Sequence, residues 1–348
     1  MKGVTIYEVA RAAGVSPSTV SNLLNGRSGR MLPATRERVE AAISRLGYRP
    51  NRAAQQLRTG RIRTVGLVVP SVANPFWGTF AWHLEGAALA QGYHVLLCNS
   101  ERDPDRERQY IEELFDDGIR GVVLCSSLPS LDHVLPLLSR GLALVAFDRT
   151  TQAGDPPPLV NISVDNVVGA QLATQHLTAL GHRRIAFVSG SLASVNRAER
   201  FHGFQTAVAA AGLTDAEVTV WAGASGSQYG DLDAADLGRR AGLELMSAPE
   251  PPTAIFAIND MTALGVYAGA RDAGFAVGVE VSVIGFDDIV LADLAAPPLT
   301  TVRQSLPDMA AAAFGELHSL IESSTPRPGR SLLIRPELVV RESTAAPR

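Results

Sequence analysis

Along the first fifty residues, apolar positions recur every three or four: Ile6, Val9, Ala10 and Ala13, then Val20, Leu23 and Leu24, then Val39, Ala42, Ile43 and Leu46. That period places each set on one face of a helix. The punctuation agrees with the period. Thr5 and Glu8 have the spacing of a capping box, and Gly14 stops the first helix. Ser16 followed by Pro17 starts the second, while Pro33 and Gly47 bracket the third. The pattern predicts three short helices around one small core. The second helix turns Pro17, Ser18, Ser21, Asn22 and Asn25 away from its apolar stripe, and all of these side chains are short.

From Thr64 the pattern changes to short apolar runs alternating with amphipathic stretches: TVGLVVP, HVLLCN, GVVLCS, LALVAF, RIAFVSG, VTVWAG, AIFAIN and VSVIGF. Such runs predict the buried strands of parallel βαβ sheets. They divide into two groups near residues 161–165, with LTTVRQ and LLIRPELVV returning at the end. The expected fold is α/β: a three-helix headpiece (1–49), a hinge helix (50–61) and a two-lobed body of parallel sheets (62–348). Lobe 1 is expected to take 62–163 with 296–325, and lobe 2 to take 164–295 with 326–343.

Composition narrows the function. The 348 residues, 46% hydrophobic, suit two or three domains. No apolar run approaches the ~20 residues that span a bilayer, and no secretory h-region opens the chain, so a cytoplasmic protein without membrane contact is expected. Cys98 and Cys125 each sit inside an apolar run, which predicts buried reduced thiols rather than a disulfide. The seven histidines show no ligand spacing, and neither metal nor cofactor is expected. Charge is more telling: up to Thr64 there are 12 basic and 3 acidic residues, a net of +9, while the whole chain carries -4. A basic head on an acidic body is the footprint of a segment that meets phosphates. A helix-turn-helix needs such a head, and it needs a recognition helix with short polar side chains to enter a major groove ~12 Å wide.

The opening stretch, TIYEVARAAGVSPSTVSNLLNG, together with GYRPNRAAQQLRTG, resembles the lactose-repressor (LacI/GalR) family of bacterial transcription regulators. The resemblance runs through nearly the whole chain. It implies that Ser16, Thr19 and Ser21 touch phosphates and that Pro17, Ser18 and Asn22 face bases, with Thr5, Asn25 and Gln55 in the same DNA-contacting set. Asn22 stands where the family often has Arg, which shifts the preferred base from guanine towards adenine. Leu32 stands where the family usually has a capping Ser or Thr, so the third helix is expected to fray at its start. The segment from Pro50 to Gly60 is shorter than the ~12 residues at which an isolated helix becomes marginal. It is expected to fold when two copies meet over DNA, with Arg52 and Arg58 on phosphates, and the resemblance implies that Leu57 wedges into the minor groove.

In open α/β sheets, ligands lie beyond the carboxyl ends of the strands. Those positions hold Ser71, Asn74, Phe76, Trp77, Ser126, Ser127, Asp148 and Arg149 in the first lobe, and Asn259, Asp260, Asp287 and Asp288 in the second. The motifs NPFW, ERFHGF, IND, GFDD and PPLTTVRQ resemble the family's, which implies that Phe76, Trp77, Asp148, Arg200, Asn259 and Asp287 line the pocket; the strand-end residues Ser71, Asn74 and Ser126, with Gln304 near the lobe crossing, complete the expected effector site. Carboxylates, amides and an Arg beside aromatic faces suit a polyhydroxylated sugar. For each strand-end Asp or Asn, the competing role is a helix N-cap. Between 221 and 237, the run AGASGSQYGDLDAAD lacks the family's usual aromatic unless Trp221 or Tyr229 serves.

The expectation is a homodimeric repressor, binding a palindromic duplex operator, whose affinity responds to a small-molecule effector, a sugar. A purine or nucleoside effector is the alternative within this class. A transport-type binding protein would suit the body alone, but not the basic head. An enzyme using the cleft, for example a dinucleotide oxidoreductase, is a third class. No G-x-G-x-x-G follows the first strand, and GARDAG (269–274) lies within a helical pattern. No leucine repeat of the tetramer-forming kind follows VVRE, so dimers are expected.

Overall fold

The computed structural model describes residues 4–24, 29, 31–48, 62–156, 159–223, 233–323 and 329–348. The expected hinge helix, with Arg52, Gln55, Leu57 and Arg58, lies outside the described residues, as do Asn25 and Tyr229. The chain forms two compact units, Met1–Ile62 and Arg63–Arg348.

In the first unit, α1 (Ile6–Ala13), α2 (Pro17–Leu24) and α3 (Pro33–Leu46) bury Val9, Ala10, Ala13, Val20, Val39 and Ala42 against one another. The capping box forms as the spacing predicts. The Thr5 N–H donates to Glu8 Oε2 at 2.7 Å and the Glu8 N–H to Thr5 Oγ1 at 3.4 Å, which holds the Glu8 carboxyl below its ordinary pKa. Gly14 ends α1 at φ 63°, a left-handed conformation that glycine adopts without a Cβ penalty. Leu32 gives α3 no side-chain cap, yet the helix begins at Pro33, whose fixed φ suits a first helical turn.

The second unit holds two parallel sheets. The first contains β1 (Thr64–Val69), β2 (His94–Asn99), β3 (Gly121–Cys125), β4 (Ala143–Phe147), β5 (Val160–Val164) and β11 (Arg330–Ile334), in the order β11-β5-β4-β3-β1-β2. The second contains β6 (Ile185–Ser189), β7 (Val218–Ala222), β8 (Ala254–Ala257) and β9 (Ser282–Ile284), in the order β7-β6-β8-β9. Helices α4 (Pro75–Ala90), α5 (Pro104–Asp116), α6 (Leu135–Ser139) and α12 (Leu306–Glu322) belong to the first lobe. The second has α7 (Asn166–Ala179), α8 (Val195–Ala210), α9 (Ala234–Met246), α10 (Asp260–Asp272) and the short α11 (Val290–Leu294). A two-stranded antiparallel ribbon of β10 (Thr301–Arg303) and β12 (Glu337–Val339) lies where the chain passes between lobes. The chain crosses three times: from β5 to α7, from β10 to α12 and from β11 to β12.

Four expectations are corrected. Residues 160–164 are a strand and not merely a divide: VNISV pairs with β4 and β11, and its polar members are buried too. Arg149 donates to the Asn161 amide oxygen at 3.2 Å and Asn166 to the Ser163 hydroxyl at 3.2 Å, so this strand hides polar side chains inside a hydrogen-bonded cluster. Residues 330–334, assigned to the second lobe, instead extend the first sheet, because the Arg335-Pro336 break splits LLIRPELVV into two strands. The stretch 296–303 follows the second lobe rather than the first: Leu299 buries in the second lobe's core and Thr300 bridges Ile284. Cys125 is buried, but Cys98 is only half-buried, since β2 is the outer strand of its sheet.

Helices α9 and α10 pack with their backbones nearly touching. A Cβ added to Gly238 would fall on the Thr262 carbonyl oxygen, and one on Gly265 on that of Ala235. The last residues are tied to the second lobe: Ser343 Oγ donates to the Val283 carbonyl at 2.6 Å, and buried His182 contacts the Ala345 carbonyl at 2.8 Å through Nε2. Burial holds His182 below its ordinary pKa, consistent with a satisfied histidine rather than a ligand.

Candidate functional site

In the headpiece, the apolar stripe of α2 faces the core, and that fixes which side chains point out. Ser16, Ser18 and Asn22 are exposed, while Pro17, Thr19 and Ser21 are half-buried. Ser16 Oγ accepts from the Thr19 N–H at 3.2 Å and lies 2.7 Å from Ser18 Oγ and 2.9 Å from Thr19 Oγ1. The start of α2 is thus a cluster of hydroxyls on a helix N-terminus, where amide N–H groups and the dipole favour an anion. Sequence reading passed over Tyr7, 69% exposed on α1. Its signal was an aromatic off the apolar stripe.

In the body, the strand ends of both lobes converge on one polar pocket of about 30 Å³. Asn74, Phe76, Trp77, Asp148, Arg200, Asn259, Asp287 and Gln304 all line it. Arg200, from α8, is the centre of the arrangement. Its Nε donates to Asn166 Oδ1 at 2.9 Å and its Nη1 to the Ile258 carbonyl at 2.8 Å. Its Nη2 lies 3.6 Å from Asp287 Oδ1, and its guanidinium sits 3.7 Å from the Phe286 ring centroid. Asp287 Oδ1 also accepts from Gln304 Nε2 at 2.8 Å. Asp148 accepts from the Asn196 amide through Oδ2. Loss of water raises the Asp148 carboxyl to about 6, against the opposing pull of Arg200 and Arg102.

The backbone is strained here. Asp148 (φ 63°), Asp287 (φ 123°) and Arg102 (φ 60°) all have positive φ and all line the pocket. Each such residue costs about 1–3 kcal/mol and persists where surrounding structure enforces it, typically at ligand sites.

Not every expected residue is here. Ser71 lies outside the pocket lining, and its hydroxyl accepts from the Ala73 N–H at 3.3 Å, a turn contact. Ser126 lines a neighbouring cavity instead. Asn259 fills both proposed roles: it caps α10 through the Thr262 N–H at 2.9 Å and faces the pocket. Asp260 is buried behind it, accepting from Thr301 Oγ1 and the Ile289 N–H, and Asp288 holds Arg303 and Arg341, so neither lines the pocket. Phe76 and Trp77, each 3% exposed, are core residues that also line the pocket, not exposed aromatic platforms. Trp221 donates to Glu244 at 2.6 Å and is not in the lining either. Arg102, Asn196, Arg197 and Ile258 were missed. Asn196 and Arg197 stand seven and eight residues past the end of β6, beyond the strand-end positions searched, although they open the helix that carries ERFHGF.

Comparison with known proteins gives the same two-part division. Residues 5–51 match the pattern described as bacterial regulatory proteins, lacI family, and residues 174–344 match a periplasmic binding protein-like domain. The chain is 33% identical over 344 residues to the HTH-type transcriptional regulator DegA of Bacillus subtilis (strain 168), covering 98% of each chain. The chain belongs to the LacI family of bacterial regulatory proteins. Two solved structures extend that likeness to the fold. The lac repressor dimer bound to operator and an anti-inducer superposes with a TM-score of 0.84 at 26% identity, covering 99% of this chain and 100% of that one. The transcriptional regulator CelR in complex with cellobiose gives 0.70 at 32% identity, covering 98% and 100%. As a LacI-family member, this chain is a DNA-binding transcription regulator rather than an enzyme.

Proposed function

We propose that this regulator is a cytoplasmic, homodimeric repressor whose operator affinity is set by a sugar bound at the Arg200 pocket. One observation carries the ligand reading. Asp148 Oδ1 and Gln304 Oε1 are buried acceptors that find no hydrogen-bond donor among the described residues, and both belong to pocket-lining side chains. Leaving such an acceptor unsatisfied costs about 1–3 kcal/mol, so a ligand rich in O–H donors recovers that energy on binding. A sugar hydroxyl donates to one neighbour while accepting from another. The arginine and amide N–H groups of the same pocket supply that second half. A purine would instead need an open aromatic face, and Phe76 and Trp77 are edge-on to each other at 89° and buried. The cellobiose complex of CelR supports the sugar class by analogy.

For the headpiece, we assign phosphate contacts to Thr5, Ser16, Thr19 and Ser21, and base contacts to Pro17, Ser18 and Asn22. We add the exposed Tyr7 hydroxyl as a phosphate donor. Dimerisation is supported by Trp82 and Leu89 on α4 and Leu96 and Leu97 on β2, large apolar side chains exposed on neighbouring elements of the first lobe. The effector acts by biasing the lobe arrangement, and about 1.4 kcal/mol of differential binding changes operator affinity tenfold.

The test is a titration against the duplex upstream of the chain's own gene, at two salt concentrations, with and without a panel of sugars and purines. Affinity should fall steeply with salt, since each phosphate neutralised releases counterions, and one sugar should shift it. No preference for any inverted repeat over random duplex would sink the regulator reading. A shift by purines alone would sink the sugar.

A pH dependence follows from Asp148. Its carboxylate must be ionised for Oδ2 to accept from Asn196 while Oδ1 accepts from a ligand hydroxyl, and its folded-state pKa is about 6. Sugar affinity should therefore be full above pH 7 and decline as pH falls through 6, by at most about tenfold per unit. Asp148→Asn should flatten that profile. Calorimetry at pH 5, 6 and 7.5 reads it, and an unchanged slope in the variant removes Asp148 from contact with the ligand.

A further inference from the structure

The first turns of α8, in the second lobe, reach across to strand ends of the first. The Val195 N–H donates to the Ser127 carbonyl beyond β3 at 2.8 Å, and the Asn196 amide donates to Asp148 beyond β4. One turn further along, Glu199 Oε1 accepts from the Thr150 hydroxyl, also beyond β4. Residues 195, 196 and 199 share one face of the helix. Three points of contact resist tilting of one lobe on the other as well as sliding.

Glu199 differs from its two neighbours on that face. The Val195 contact is made by backbone, which any residue there would supply. Asn196 and Asp148 both line the polar pocket, whereas neither Glu199 nor Thr150 does. Behind Glu199, its Oε2 accepts from Asn166 Nδ2 at 3.0 Å. Asn166, 1% exposed, is the first residue of α7, where the chain enters the second lobe from β5. It is held in turn by Ser163 Oγ at 3.2 Å and by Arg200 Nε at 2.9 Å. On the other side, Thr150 follows Arg149, which is fully buried and bonded to Asp155 at 2.9 Å and to the Pro129 carbonyl at 3.2 Å. Both ends of the Glu199–Thr150 bond are therefore anchored in their own lobes. A hydrogen bond to a carboxylate is roughly twice as strong as one between neutral groups, so this contact weighs more than its neighbours in holding the lobes together.

We propose that Glu199 is a positioning residue for the regulatory response: its bond to Thr150 latches the lobes in one arrangement and so sets the operator affinity from which an effector must move the protein. This rests on the reading that lobe arrangement governs operator affinity, and it adds to that reading a residue outside the pocket, acting through Thr150 rather than on a ligand. Loss of one charge-assisted bond shifts an equilibrium between two lobe arrangements on the order of tenfold. Every effector, whatever its chemistry, works against the same latch, which makes the set point a property of the chain and not of the ligand.

The experiment uses the full-length protein and Thr150→Val, which keeps the side-chain shape and removes the hydroxyl. Spin labels on Asp132→Cys and Ala248→Cys, exposed positions in the first and second lobes, report the separation of the lobes in a Cys98→Ser background, with labelled chain diluted into unlabelled chain. Operator affinity is read on the duplex upstream of the chain's own gene, with no small molecule added. Thr150→Val should lengthen or broaden the distance distribution and change operator affinity by threefold or more, and Thr150→Ser should restore both. In a Glu199→Ala background, Thr150→Val should have no further effect on either readout, which a merely structural loss at two separate sites would not reproduce. An unchanged distance distribution in Thr150→Val, or additive effects in the double variant, overturns the latch. If the distances change and operator affinity does not, the latch stands and its coupling to the operator falls.

Discussion

Replacing Arg200 by Ala should lower the unfolding free energy of the body by about 3–5 kcal/mol, the usual cost of stripping one partner from a buried ion pair. For a body of this size that corresponds to a fall in Tm of roughly 10 °C. The reason is the number of groups that depend on one guanidinium. Asn166 and the Ile258 carbonyl each lose a donor, and the Phe286 ring loses its cation. The buried Asp287 carboxylate, 7% exposed beside Gln304, loses the guanidinium of its ion pair. Effector affinity should fall sharply in the same variant, because Arg200 pairs with Asp287, which in turn holds the Gln304 amide of the proposed ligand site. Arg200→Lys should restore little, since an ammonium cannot span three acceptors in a planar fork. Thermal and urea unfolding measure the first effect and calorimetry the second. A loss below about 1 kcal/mol would mean that the network is not what holds the pocket.

A comparable loss is expected from Gly265→Val, for a different reason. On α10 the added Cβ would fall on the Ala235 carbonyl oxygen, and backbone cannot swing aside as a flexible side chain can. The two helices must separate along their whole glycine seam, which includes Gly238, Gly242 and Gly269. Ordinary overpacking costs about 1–3 kcal/mol, and a clash with backbone belongs at or above the upper end. Gly315 gives the control. It too lies within a helix, α12, but a Cβ there meets nothing within 4 Å. Gly315→Ala should stabilise the protein by up to about 1 kcal/mol through helix propensity alone. Opposite signs from two mid-helix glycines would show in one set of urea curves, and matching signs would refute the packing argument.

The elements legible from sequence were those whose signals are local. Thr5, Glu8, Gly14 and Gly47 punctuate the headpiece through contacts within a single turn, and the structure realises each. The strand-end rule likewise pointed to Asp148, Asn259 and Asp287, which line one pocket. What escaped was set by distant partners. VNISV reads as a weak strand because Asn161 and Ser163 interrupt its apolar run, and partners brought in by folding, Arg149, Thr151, Asp155 and Asn166, make those residues interior. Residues 330–334 carry no mark of the lobe they join, since sheet membership depends on which edge is free. Arg102 turns into the pocket through a left-handed backbone that no residue preference announces, and Ser71 satisfies its own loop.

The three crossings between lobes bear on how the response is shaped. A single tether would let one lobe twist, slide and tip independently. Here β10 and β12 are laced together by hydrogen bonds at the place where two of the three strands pass. Bending any one of them drags its neighbour, which leaves essentially a single axis, as in a door hung on several pins. A ligand drawing on both lobes at the proposed Arg200 pocket would then work against one axis, the mechanical precondition for a switch instead of a graded drift.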